Sequence, residues 1–148
     1  MNKTLHYILS LTWGLPLNLF GGIVSIILLL LGYKPKRYGW CWYFEVGYGW
    51  GGFEGGLVFV CSKDSLDRLK AHEFGHSIQN CYFGIFTPLV ITIPSAIRYW
   101  YRELQYRKGK VLPPYDSIWF EGQATGLGLK YINRIENDIK HTKTYLSI

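Results

Sequence analysis

Residues 72–76 read His-Glu-Phe-Gly-His, two imidazoles four positions apart with a carboxylate directly after the first. On a helix, positions i and i+4 share a face, so His72 and His76 project side by side. That is the separation at which two nitrogens reach one zinc ion at ~2.0–2.1 Å. Glu73 stands one position round the helix from His72, beside such a metal rather than on it, where a carboxylate can take a proton from metal-bound water. A catalytic zinc keeps three protein ligands and one open position, so a third ligand must come from elsewhere in the chain. Glu121, in the stretch "YDSIWFEGQATGLGLKYI", is the best candidate and Asp116 the next.

Two helices must carry these groups. Asp64 is an acceptable N-cap, and Leu66 and Leu69 supply the i, i+3 apolar spacing of a helix over 64–83. Pro113 and Pro114 halt the segment before the second motif and Asp116 can cap, which predicts a helix over 116–134. On that helix Gly122 with Gly126, and Ala124 with Gly128, form two small-x-x-x-small pairs that let helix backbones approach closely. Each glycine costs about 1 kcal/mol in helix propensity, so a packing role is expected, and Gly75 in the first helix suits the same approach. Ahead of both helices, Tyr38, Trp40, Trp42, Phe44, Val46, Tyr48 and Trp50 alternate with smaller or polar residues, as in a strand. The glycine-dense "GYGWGGFEGG" then turns and "LVFVC" at 57–61 returns, which predicts a β-hairpin over 38–61.

A chain of 148 residues suits one domain, and 49% hydrophobic residues, 18% aromatics and a net charge of +6 lean towards a membrane. Residues 5–31 contain no Asp, Glu, Lys or Arg and are long enough to cross a hydrocarbon core of ~30 Å. A cleaved signal peptide fits poorly, because the apolar run is too long, only Lys3 precedes it, and no small-x-small site follows. Pro16, with Gly14, Gly21 and Gly22 around it, predicts a kinked helix or a helical hairpin. A second apolar run, 81–97, carries Pro88 and Pro94 and places a re-entrant or membrane segment over 84–101. Lys34, Lys36 and Arg37 follow the first run and Arg98 to Lys110 the second, which favours both basic clusters on the cytoplasmic face. Interleaved with Tyr99, Trp100, Tyr101 and Tyr106, the second cluster suits an anionic lipid surface better than nucleic acid. His6, at the head of the first run, is expected at the membrane interface. The spacing of Cys41, Cys61 and Cys81 makes no metal motif, and three free, buried thiols are expected.

"HEFGH" at 72–76 followed by "FEGQA" at 120–124 resembles the gluzincin zinc metalloproteases, and among them the membrane-embedded group that includes the heat-shock membrane proteases and CAAX prenyl proteases. The resemblance implies His72, His76 and Glu121 as zinc ligands and Glu73 as general base, in an α+β, mainly α, fold with a minimal zincin-like core. It also implies a donor for the oxyanion, for which His141 and Tyr115 are candidates, and an edge strand, here "LVFVC", that pairs with an extended peptide. One departure stands out: the membrane group has an aspartate where this chain has Thr125, which removes the expected contact to a zinc-binding histidine. Gln79 and Tyr82 stand where a metzincin needs glycine and histidine, and a site-2-type protease would have to use Asp116. The expectation is an integral membrane zinc metallopeptidase acting on a peptide or protein substrate, with a lipid bilayer and no nucleic acid as partner. The alternative is a non-enzymatic membrane protein with a structural or vestigial zinc site.

Overall fold

A computed structural model describes the backbone of residues 1–146 and the side chains as far as residue 140. Helices α1 (Lys3–Leu11) and α2 (Leu15–Leu30) precede four short strands: β1 (Lys36–Tyr38), β2 (Cys41–Glu45), β3 (Gly52–Glu54) and β4 (Val58–Cys61). Helices α3 (Asp67–Phe83), α4 (Ile93–Arg107) and α5 (Trp119–Leu146) follow. The architecture is α+β and mainly helical, as the patterning predicts.

The apolar N-terminal run folds as two helices bent by 91°. Asn2 caps α1 by accepting a hydrogen bond from the Leu5 amide at 2.9 Å, and Pro16 lies in the first turn of α2, where its missing N–H costs nothing. Proline therefore starts a helix here rather than kinking one. Among the described residues no single helix is long and apolar enough to cross a membrane; this bent pair, and the pair Asp67–Phe86 with Pro88–Arg107 bent by 115°, reach that length and composition only together. His6 is not interfacial: it is fully buried and bonds Ser77 Oγ at 2.7 Å. The 84–101 segment is a 3₁₀ turn (Gly84–Phe86), a π-helical turn (Pro88–Thr92) and the first half of α4.

The hairpin expected over 38–61 is replaced by a four-stranded sheet in the order β1-β2-β4-β3. Gly39, at φ +56°, turns the chain in two residues, so that Tyr38 faces Cys41 and β1 pairs antiparallel with β2. The glycine-rich residues after Val46 then carry the chain past β4, so β3 and β4 make the second antiparallel pair while β2 and β4 run parallel. Alternation of aromatics marks extended chain but not its partner, and β4, expected as an edge, is interior. The edge strands are β1 and β3, of which β3 lies beside α3.

Each face of this sheet is covered. Cys41, Tyr43, Phe59 and Cys61 pack with Phe74 and Ile78 of α3 and Tyr131 of α5, whereas Phe44 and Val60 pack against Leu28 of α2. Helix α2 buries Leu17, Gly21 and Leu28 and leaves Leu19, Ile23, Ile26 and Leu30 exposed. Helix α3 is enclosed, with every residue from Ala71 to Cys81 buried, six of the polar ones among them being His72, Glu73, His76, Ser77, Gln79 and Asn80. It begins at Asp67 with extended Leu66 at the cap position; Asp64 does not cap it but accepts the Gly49 amide at 3.0 Å. Likewise α5 begins at Trp119, and Asp116 lies in a 3₁₀ turn, ion-paired with Arg68 at 2.9 Å.

Candidate metal centre

The crossing of α3 and α5 brings the motif residues together. A Cβ on Gly75 would fall on the Ala124 carbonyl oxygen, and one on Gly128 on the Ala71 carbonyl oxygen, so both glycines are required by the approach of the two backbones. The Ala124–Gly128 pair acts as expected; of the other pair, Gly122 faces the Asp116 carbonyl and Gly126 faces open space. At this crossing Glu121 Oε2 lies 3.1 Å from His72 Nε2 and 3.1 Å from His76 Nε2, and the two Nε2 atoms are 3.1 Å apart. Ligands bound at ~2.0–2.1 Å in a tetrahedral shell stand roughly 3.3 Å apart, so the triangle has the size of the shell around a small metal ion. The three residues form a buried group that could hold a metal ion.

The hydrogen bonds behind the histidines decide what the triangle presents. Gln79 Nε2 donates to the Phe120 carbonyl at 2.8 Å, which orients the amide and leaves Gln79 Oε1 to accept from His76 Nδ1 at 2.7 Å. Thr125 Oγ1 donates to the Glu121 carbonyl at 3.2 Å and so accepts from His72 Nδ1 at 2.9 Å. Both neutral imidazoles therefore carry their proton on Nδ1 and turn an Nε2 lone pair inward, towards each other and towards a carboxylate. With both imidazoles neutral, three acceptors face one another, an arrangement that a metal ion satisfies and that a proton on His76 satisfies in its absence. Glu121 Oε1, buried without a hydrogen-bond partner, adds a further unsatisfied acceptor.

Electrostatics point the same way. Burial acts to raise the Glu121 carboxyl, but His72 and His76 outweigh it and hold it below the usual carboxylate range. Burial would lower His76, yet its bond to Glu121 and the charges of Glu73, Glu121 and Glu54 push it up to about 9. Glu73 is raised by burial, as is Glu54, which reaches about 8. With Glu54 and Glu73 shifted towards the neutral acid and His76 towards the imidazolium, protons balance the charge of the centre, and a divalent ion bound there would displace them.

Glu73 lies against the edge strand, where a Cβ on Gly52 would sit 2.8 Å from Glu73 Oε1. Glycine at 52 thus keeps room for the carboxylate. Of the two oxyanion candidates, Tyr115 reaches the centre: its ring centroid is 6.2 Å from that of His72, and its hydroxyl bonds Ser95 Oγ at 3.1 Å. Burial pushes its phenol up to about 12, with help from Glu121 and Glu73, so it stays protonated. The side chain of His141 lies outside the described residues. Asp116, held by Arg68, is not part of the triangle. Sequence reasoning missed Gln79, Thr125, Gly52 and Glu54, although Thr125 was singled out as a loss and instead supplies the contact to His72.

Comparison of the chain with protein-family models, with curated proteins and with solved structures found no match.

Proposed function

We propose that the chain is a metallopeptidase that holds zinc on His72, His76 and Glu121 and hydrolyses a peptide bond, with Glu73 as general base. The observation that carries this proposal is the buried triangle of 3.1 Å edges, whose imidazoles are oriented by Gln79 and Thr125 to turn Nε2 inward, with a raised carboxylate beside it. Zinc bound there would acidify a water molecule and polarise the scissile carbonyl. Glu73 accepts the proton of that water on its carboxylate and returns it to the departing amine. Its raised pKa brings it closer to neutrality than a solvated glutamate, as a group that must both take and give a proton requires. Tyr115 donates its hydroxyl proton in a hydrogen bond to the oxygen of the scissile carbonyl as charge develops there. The free edge of β3 pairs with an extended substrate and lays the scissile bond over Glu73.

The exposed apolar side of α2, with Leu19, Ile23, Ile26 and Leu30, supports a bilayer as the surface on which the enzyme works. The test is Glu73→Gln in detergent-purified protein, assayed against a mixed peptide library. Peptide hydrolysis should fall at least 100-fold while about one zinc per chain is retained. Equal hydrolysis by parent and variant would refute Glu73 as base, and zinc bound by a parent that cleaves nothing would favour a structural site.

A further inference from the structure

Arg102 of α4 is 7% exposed and lines a cavity of about 170 Å³ with Tyr99, Glu103, Tyr106 and Tyr115. Its guanidinium donates to Tyr106 Oη at 2.6 Å, and its central carbon lies 5.4 Å and 5.6 Å from the ring centroids of Tyr106 and Tyr115. Among the described residues no carboxylate is within ion-pair reach of it. Glu103, the one acid on the cavity wall, instead accepts Arg107 Nε at 3.0 Å. A guanidinium carries five N–H donors, and a cation withdrawn from water without a counter-charge is costly unless a ligand supplies one. The second cation nearby, Arg98, has its central carbon 5.7 Å from the Tyr115 ring and adds positive field rather than relieving it.

The cavity adjoins the candidate metal centre. Tyr115 forms its wall towards Arg102 and meets His72 edge-on at 6.2 Å, so a single tyrosine ring separates the guanidinium from a metal-binding histidine. We infer that this cavity is a substrate subsite in which Arg102 binds a peptide carboxylate close to the scissile bond. The planar fork of arginine matches a carboxylate in a two-bond arrangement. At ~3.3 Å per residue, an extended peptide spans the thickness of one ring and its contacts within roughly three residues. The cavity is smaller than the ~300–1,000 Å³ of sites that enclose whole drug-sized ligands, so it takes one terminal or acidic residue rather than a length of chain. The subsite rests on the peptidase proposal only in naming a peptide as the ligand.

The carboxylate can be a free C-terminus or an acidic side chain, and three fluorescent pentapeptides of alanine and leucine separate the two. One ends in a free carboxylate, one in a carboxamide, and one in a carboxamide with glutamate as its last residue. Binding is measured by anisotropy on zinc-loaded Glu73→Gln protein, which does not consume them. The free acid, the glutamate peptide or both should bind about 10- to 100-fold tighter than the plain amide, the range of charge-assisted hydrogen bonds. The preference should vanish in a protein that also carries Arg102→Gln and survive in part with Arg102→Lys, at unchanged zinc content. Equal or undetectable binding of all three peptides, or a preference that persists without Arg102, overturns the subsite. Hydrolysis by the parent at equal kcat/KM for all three peptides would likewise remove the subsite while leaving the peptidase standing. An Arg102-dependent preference in a chain that cleaves nothing would keep the carboxylate site and remove the peptidase.

Discussion

Helix α3 buries two histidine clusters on different sides, and they obey different rules. Towards α1 and the sheet, His6 Nε2 meets Ser77 Oγ at 2.7 Å, Ser77 Oγ meets Cys41 Sγ at 3.1 Å, and Cys81 Sγ approaches the His6 and Ser77 carbonyls at 3.6 Å. Hydroxyls and thiols both donate and accept, so this neutral chain settles its bonds by rotating its hydrogens and leaves His6 Nδ1 alone in it without a partner among the described residues; burial pushes the Cys41 thiol up and keeps it protonated. Towards α5, the same helix presents His72 and His76 with Nδ1 already committed, and no rotation can place a donor among Glu121 Oε2 and the two Nε2 atoms. Burial of a histidine is therefore no sign of a metal site by itself. An excess of acceptors with their tautomers fixed is.

The sharpest break of this comparison is metal content measured by mass spectrometry on purified protein. His76→Ala and Glu121→Ala should take the parent's zinc from about one per chain to none, whereas His6→Ala should leave it unchanged. Loss of zinc in His6→Ala at unaltered folding would erase the distinction between the clusters.

The next largest effect acts through the helix crossing rather than the ligands. Gly75→Val puts a branched side chain into the Ala124 carbonyl, and the expected cost is about 3 kcal/mol in chemical denaturation, the upper part of the overpacking range. Because separating α3 from α5 also moves Glu121 away from the histidines, zinc affinity should fall in parallel. A tolerated valine with normal affinity would mean the crossing is looser than the backbone contact implies.

Smaller still are the contacts behind the ligands. Gln79→Leu and Thr125→Val leave all three candidate ligands in place but remove the acceptors for His76 Nδ1 and His72 Nδ1. Competition with a chelating dye should show zinc affinity weakened about 10- to 100-fold in each. No change would indicate that the imidazoles hold their tautomers without help.

The smallest effect is a pH dependence. Glu54 titrates at about 8 in the fold because of burial, against 4.5 when unfolded. Between those values the unfolded chain is ionised while the folded chain holds the proton, so Glu54 costs stability that grows as pH rises from about 4.5 to about 8. The thermal midpoint of chelator-treated protein should fall across that window, Glu54→Gln should flatten the fall, and zinc should reduce it by offsetting the carboxylate. A midpoint in Glu54→Gln that falls as steeply as the parent's would place the dependence elsewhere.

The legible parts of the site were those governed by local periodicity. His72, Glu73 and His76 share one stretch of helix, so their relative placement follows from 3.6 residues per turn, and the glycines at 75 and 128 announce a close helix approach without naming the partner. Glu121 could be proposed because it stands at the edge of that small-residue face. The sheet was read less well: the aromatic alternation over 38–50 marked extended chain, but the turn at Gly39 and the parallel pairing of β2 with β4 depend on which strands meet across β3's hairpin.

By itself, then, the sequence determined two helices with a pair of histidines, a glutamate and a small-residue seam, together with an apolar N-terminal run broken near Pro16. Only the tertiary structure decided that Thr125 and Gln79 stand behind the imidazoles, that His6 is buried against Ser77, and that β3 rather than β4 is an edge strand. The reason is physical: hydrogen bonds between residues 53 positions apart, and the order of strands in a sheet, carry no period along the chain. They exist only once backbones separated in sequence have packed, and it is that packing which turns two ordinary histidines into inward-facing lone pairs.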